Sequence, residues 1–249
     1  MSDNKQGTGI DRRGALECMI WAGTGVIWTL SGGVPKSSQL LGIETAQAAE
    51  KAATGFSFLQ ISDSHVGFNK PANPDALGTL KEAIGKVNGL LAKPAFMIHT
   101  GDITHLSKPG QFDDAEKVIG EAKLDVHYVP GEHDVIDEEN GKAYLERYGK
   151  NTKGTGWYSF DAGGVHFIGL VNVANLKAGG MGSLGDEQLA WLADDLKGKP
   201  ASTPVVVFAH IPLWTVYADW AGARRIRPAR SPCSNGSARS PSSTAISIN

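Results

Sequence analysis

Short runs of β-branched and aromatic residues recur along this chain, and most of them end in a cluster of acids and histidines. The runs are Phe56–Ile61, Phe96–Ile98, Val126–Val129, Val165–Val171 and Val205–Phe208. Their brevity and composition suit buried strands. Helical patterns lie between the first three. Ala76–Leu91 spaces Leu77, Leu80, Ile84, Val87 and Leu91 three or four residues apart, and Gln111–Ala122 does the same with Phe112, Ala115, Val118 and Ile119. Strand and helix in alternation predict a parallel α/β arrangement. Further on, Gly156–Phe160 and the Val165 run read as an antiparallel hairpin turning at Gly163-Gly164. A helix over Gly185–Lys197 then leads to the Val205 run. There is no internal repeat, and one domain over roughly residues 55 to 218 accounts for the pattern.

Composition narrows the chemistry. The 249 residues are 41% apolar and 20% charged, within the range of globular proteins. A formal net charge of −2 provides no basic field for nucleic acid, and no basic stripe interleaved with aromatics is present. Cys18 and Cys233 both fall outside the domain, so neither a disulfide framework nor a cysteine zinc knot is expected. Any metal must be held by His, Asp, Glu and Asn.

Residues 1–48 read as an export address. Arg12-Arg13 precede a largely apolar stretch from Met19 to Leu30, and Ala46-Gln47-Ala48 offers small residues for cleavage after Ala48. Paired arginines point to the route that exports folded proteins, giving a periplasmic or extracellular bacterial protein. Gly23, Gly25, Gly32 and Gly33 leave the stretch short of the ~20 apolar residues a membrane span needs, so no stable anchor is expected after cleavage.

The polar clusters sit just past the strand ends. Phe56–Ile61 runs into Asp63-Ser64-His65, and Phe96–Ile98 into Gly101-Asp102. Val126–Val129 runs into Gly131-Glu132-His133-Asp134, and Val205–Phe208 into His210. In open α/β sheets, sites form outside the carboxyl ends of strands. Side chains two residues apart in extended chain share a direction, which would aim Asp63 and His65 together. Oxygen and imidazole donors in mixture suit Mn, Fe or Zn. Two such ions a few ångströms apart clamp the attacking and leaving oxygens of a displacement at phosphorus.

In this order the clusters resemble the calcineurin-like metallophosphoesterases, whose pattern is D-x-H, G-D, G-N-H-(D/E), a lone His and G-H-x-H. The resemblance covers roughly residues 56 to 217. It implies an α/β fold with a two-sheet β-sandwich flanked by helices, an α/β/β/α architecture, here truncated at its C-terminal end. It implies two divalent or trivalent ions, a phosphate-ester substrate and hydrolysis of a phosphomonoester or phosphodiester. Asp63 and His65 match ligands of the first ion, Asp102 the bridging carboxylate, and His210 a ligand of the second. His133 matches the histidine that protonates the leaving group, with Asp134 its expected orienter.

Two departures stand out. Glu132 occupies the place of a metal-binding asparagine. It can still ligate a hard cation, but it adds negative charge beside an anionic substrate and removes an amide donor, so binding can persist while turnover falls. The second departure is the absence of any Gly-His-x-His. After Trp220 the chain becomes rich in Arg, Ser, Pro and Ala, so Ala221–Asn249 reads as a disordered or non-native tail. The genetic code favours a shifted frame. A coding stretch for Ser240–Asn249, TCA CCG TCC TCA ACG GCC ATA TCC ATC AAY after a G, reads one base earlier as Val-Thr-Val-Leu-Asn-Gly-His-Ile-His-Gln.

Other histidines are expected to be structural. His99, His127 and His166 lie within strand patterns. His105 lies three residues past Asp102, where purple acid phosphatases carry a tyrosine ligand, and is read as a loop residue. Trp214, Tyr217 and Trp220 are candidates for a substrate groove, and Asp137–Glu139 for a solvated helix start.

Overall fold

The computed structural model describes residues 25–31, 34–39, 56–174, 182–213 and 245–248. Trp214, Tyr217, Trp220 and most of the tail lie outside the described residues. Two sheets carry the fold. The first has strand order β2-β1-β3-β4-β5, comprising β1 (Val26–Ser31), β2 (Val34–Gln39), β3 (Phe56–Ile61), β4 (Met97–His99) and β5 (Val126–Tyr128). β3, β4 and β5 run parallel, as the alternation predicts, while β1 is antiparallel to both β2 and β3. The second sheet has order β6-β7-β8-β9, from β6 (Tyr158–Ala162), β7 (Val165–Gly169), β8 (Val205–Phe208) and β9 (Ala245–Ile248). β6 and β7 form the expected hairpin, and β7, β8 and β9 are parallel.

The period-two alternation of the strands sorts their side chains into layers. Phe58, Phe96, Ile98 and Val129 from the first sheet meet Val165, Phe167, Val206 and Phe208 from the second. The rings of Phe58, Phe96 and Phe167 pack at centroid distances of 5.2–5.3 Å, edge-on or offset. The opposite face of the first sheet, with Leu59, Ile61 and Met97, is covered by α1 (Ala76–Asn88) and α2 (Pro109–Gly120). α1 contributes Leu80, Ile84 and Val87 at helical spacing, and Asp75 caps it by accepting from the Gly78 N–H at 2.8 Å. α2 starts with Pro109, whose fixed φ suits a first turn. The far face of the second sheet, with Ile168, packs on Trp191 and Leu192 of α4 (Asp186–Leu196). Helices therefore flank two packed sheets, the layering expected of the chain.

Three features differ from the sequence expectations or refine them. Val26–Ser31, within the stretch read as part of an export address, pairs with β3 in register Val26↔Gln60 to Leu30↔Phe56. Ala245–Ile248, within the stretch read as a tail, lies beside β8. The acidic run caps a helix: Asp137 accepts from Gly141 and Ala143 at the start of α3 (Lys142–Tyr148).

His127 and His166 are structural. His127 stacks on Phe160 at 3.7 Å. His166, buried in β7, lies 2.7 Å from Asp161 Oδ1 through Nδ1 and 2.7 Å from Asp195 Oδ2 through Nε2. Ser159 donates to Asp195 at 2.6 Å, so this network ties α4 to the β6–β7 hairpin. Among the described residues no helix is long and apolar enough to cross a membrane.

Candidate metal centre

The loops after β3 and β4 are laced together by backbone hydrogen bonds. The Asp63 N–H donates to Gly101 O, His65 to Asp102 O, and Val66 to Ile103 O, at 2.9–3.0 Å. Within this lacing, Asp63, His65 and Asp102 have φ of 56°, 42° and 52°. The left-handed region is unfavourable for side-chain-bearing residues and costs about 1–3 kcal/mol at each position. The strain turns all three side chains into one space. His65 Nε2 lies 3.4 Å from Asp102 Oδ2 and 3.9 Å from Asp63 Oδ1.

Asp102 is nearly fully buried and serves both sides of the site. Its Oδ1 accepts the His133 N–H at 2.9 Å, and its Oδ2 faces His65 at 3.4 Å and His210 at 3.6 Å. Two glycines permit the approach. A Cβ on Gly131 would lie 2.1 Å from Asp102 Oδ1, and one on Gly101 would lie 2.5 Å from Gly131 N. His210 follows β8 and is brought in from the second sheet. Its Nδ1 lies 2.8 Å from Thr100 O, which fixes the ring and leaves Nε2 for the site. Asn172 braces the same loop, donating to Ile211 O and accepting from its N–H.

Two groups of donors result. The ligand atoms of Asp63, His65 and Asp102 lie within 4.8 Å of one another, as do those of Asp102, Glu132 and His210. Asp102 belongs to both. This shared carboxylate, with the His65 imidazole 3.4 Å and the His210 imidazole 3.6 Å from its Oδ2, has the mixed oxygen and nitrogen donors that suit a divalent metal ion. All five residues singled out from the sequence as ligands converge here.

Electrostatics fit the same picture. His210 Nε2 and Glu132 Oε2 are 2.9 Å apart. Desolvation would lower the His210 pKa, but Glu132, Asp102 and Asp63 together outweigh it and push it up to about 10. The same contact with His210 holds Glu132 down at about 2. Burial pushes Asp102 up to about 7, helped by Glu132 and Asp134 and opposed by His210. Burial also lowers His65 to about 4. His210 Nε2 thus faces two carboxylates, Glu132 at 2.9 Å and Asp102 at 3.6 Å.

The residue after His133 does not orient it. The fully buried Asp134 carboxylate accepts from Ile103 N, Thr104 N, Thr104 Oγ1 and Gly131 N at 2.8–3.1 Å. It therefore staples the loop after β4 to the loop after β5. The His133 ring is held by the backbone, with Nδ1 2.7 Å from the His105 carbonyl. Sequence spacing could not show this, because the single 3₁₀ turn Glu132–Asp134 sends adjacent side chains in different directions.

His99 contributes something the sequence did not signal. It is fully buried in β4, with Nε2 2.7 Å from Ser64 Oγ and Nδ1 accepting from Gly101 N at 3.3 Å. It links the Asp63–His65 loop to the Gly101-Asp102 turn. His105 also lies closer to the site than expected. One ligand atom from each of His65, His105 and His133 falls within 4.8 Å of the others.

A shared carboxylate between two His/Asp groups at the strand ends of an α/β/β/α sandwich is the layout of a metallophosphoesterase. The sequence matches the calcineurin-like phosphoesterase model over residues 56–233, and the chain belongs to that family. It is 31% identical over 144 residues to the Bos taurus serine/threonine-protein phosphatase CPPED1, spanning 54% of this chain and 45% of that protein. It is 27% identical over 168 residues to a probable glycerophosphodiester phosphodiesterase GpdQ of Arcobacter nitrofigilis, spanning 62% and 56%. The matched stretch thus spans about half the length of these relatives. Among solved structures, a dimetal phosphatase from Danio rerio aligns with TM-score 0.45 at 15% identity, covering 63% of this chain and 70% of that one.

Proposed function

We propose that this chain is a metal-dependent hydrolase of phosphomonoesters or phosphodiesters working through two cations, Mn, Fe or Zn. Asp63, His65 and Asp102 would hold one, and Asp102, Glu132 and His210 the other. The observation that carries this reading is the position of Asp102 Oδ2 between His65 and His210, 3.4 and 3.6 Å away. Bound cations would supply charge for the phosphoryl oxygens and bring the pKa of an attacking water from about 15.7 toward neutrality. His133 stands beside this pair with Nδ1 committed to the His105 carbonyl, which leaves Nε2 to carry a proton to the departing oxygen. Its backbone N–H on Asp102 Oδ1 fixes its distance from the bridging carboxylate. The relatives include a named protein phosphatase and a named phosphodiesterase, so both ester classes are candidate substrates.

A second reading rests on Glu132. Its carboxylate pairs with His210 at 2.9 Å and adds negative charge where an anionic substrate must approach. A protein of this fold that binds metal or a phosphorylated ligand with weak or no turnover would carry this feature. Assay of mono- and bis-nitrophenyl phosphate with Mn, Zn or Fe separates the two readings. The assay compares this chain with a version read in the shifted frame after Trp220, with metal content measured in parallel. Turnover in either protein supports the hydrolase. Two equivalents of metal with no turnover in both supports the binding protein.

Export to the periplasm or beyond is part of the proposal, supported by Arg12-Arg13, the Met19–Leu30 stretch and Ala46-Gln47-Ala48. Cleavage after Ala48 would remove β1 and β2 and leave β3 as a sheet edge. The N-terminal sequence of protein recovered outside the cytoplasm tests it. A start at Ala49 is expected, and a start at residue 1 or 2 overturns it.

A further inference from the structure

His65, His105 and His133 form a compact imidazole cluster at the rim of the centre, made without carboxylates. The His105 and His133 rings stack at 5.0 Å with 19° between planes, and His65 stands edge-on to both, at 5.8 and 4.8 Å. One ligand atom from each lies within 4.8 Å of the others. Phe68 backs the cluster, edge-on to His105 at 5.0 Å.

The hydrogen bonding around these rings is incomplete in a telling way. Buried polar atoms nearly always find partners. Yet the Nδ1 atoms of His65 and His105 are both buried without one among the described residues. His133 differs, because its Nδ1 is bonded to the His105 carbonyl and only Nε2 is left. For His65 the orphan is the ring nitrogen not facing Asp102, since Nε2 takes that side. The three half-buried imidazoles thus carry two orphaned nitrogens, on His65 and His105, and on His133 a ring nitrogen that the backbone contact leaves over.

We propose that His65, His105 and His133 form a third cation position, nitrogen-only and distinct from the two groups that share Asp102. Three imidazoles with an open fourth place suit Zn and Cu, and disfavour Mg, Ca and Mn, which prefer oxygen. The position is regulatory. An ion there occupies the nitrogen of His133 that faces the site and draws on His65, a ligand of the first group. Excess Zn or Cu then inhibits the hydrolysis proposed above, while Mn does not. The inhibition rests on that functional reading, whereas the binding does not.

The test reads the metal directly. Protein carrying Asp102→Asn loses the carboxylate shared by the other two groups, and its amide oxygen can still accept the His133 N–H. Equilibrium dialysis with Cu(II), followed by electron paramagnetic resonance, is expected to show one equivalent with nitrogen hyperfine structure. The double variant Asp102→Asn, His105→Phe is expected to lose that equivalent. Phenylalanine keeps the stacking on His133 and Phe68, and unchanged circular dichroism verifies the fold. In the otherwise unaltered chain, His105→Phe is expected to abolish the inhibition of Mn-supported turnover by excess Zn. Copper held with the same nitrogen signature after His105→Phe overturns the proposal, as does an Asp102→Asn protein that binds none. The copper result needs no substrate, so it stands apart from whether any ester is hydrolysed.

Discussion

The imidazole of His99 reaches Ser64 across two strands, Nε2 to Oγ at 2.7 Å. Because His99 Nδ1 accepts from the Gly101 N–H, the ring is the neutral tautomer with its hydrogen on Nε2, and it donates to Ser64. One buried side chain thus braces both ligand-bearing loops. His99→Ala would leave a cavity and two unpaired groups, and is expected to cost about 2–5 kcal/mol in urea unfolding. Ser64→Ala removes one partner and is expected to cost about 1–3 kcal/mol. Both are expected to weaken metal binding by about 10–100-fold, as loss of ligand-orienting contacts does. Unchanged metal affinity in both would show that the brace does not position the ligands.

Acid sensitivity follows from the same ring. Burial holds His99 down at about 3, against an ordinary value of 6.5, with His210 and His65 lowering it further. The unfolded chain takes up this proton first, so the contribution is complete above pH 6.5 and is lost as pH falls toward about 3. The loss is at most about 1.4 kcal/mol per pH unit. His127, lowered to about 4 mainly by burial, acts in the same direction, more weakly because the ring is partly exposed. The urea midpoint is expected to fall between pH 7 and pH 5, and the fall is expected to shrink in His99→Gln. An equal fall in both proteins would assign the effect to other groups.

Metal uptake is expected to release protons. With its pKa raised to about 10 by Glu132, Asp102 and Asp63 against desolvation, His210 is protonated at neutral pH, and a cation must displace that proton. Apparent affinity at the Asp102–Glu132–His210 group is expected to rise about tenfold per pH unit from pH 7 to 9. Calorimetry in two buffers of different ionisation enthalpy measures the release directly. Uptake without proton release would place the cation elsewhere.

Gly131 is required for closeness rather than for turning. A methyl group there would overlap Asp102 Oδ1, so Gly131→Ala is expected to push the carboxylate out of both donor groups. The expected result is loss of both bound Mn ions, read by elemental analysis, with the fold retained by circular dichroism. Full metal content in this variant would contradict the crowding.

The parallel β3–β4–β5 core was legible because each strand is a short β-branched run flanked by a helical period. The five converging side chains were legible because each follows such a run by two to four residues. Less visible was what holds them. Asp134 looks like a partner for its neighbour His133, yet a single 3₁₀ turn sends it to the Ile103, Thr104 and Gly131 amides. His99 reads as an ordinary strand residue, because its link to Ser64 spans 35 positions. β1 was hidden for a different reason. An apolar stretch flanked by glycines can pair at a sheet edge or serve export, and periodicity does not distinguish the two.

The most direct test of the two-cation centre is Asp102→Asn, assayed beside the unaltered protein for bound Mn and for hydrolysis of mono- and bis-nitrophenyl phosphate. The unaltered protein is expected to hold two equivalents of Mn and to hydrolyse at least one ester. The variant, folded by circular dichroism, is expected to lose both ions and all turnover, since one carboxylate serves both groups. An Asp102→Asn protein that keeps its Mn and its activity would contradict the shared-ligand centre.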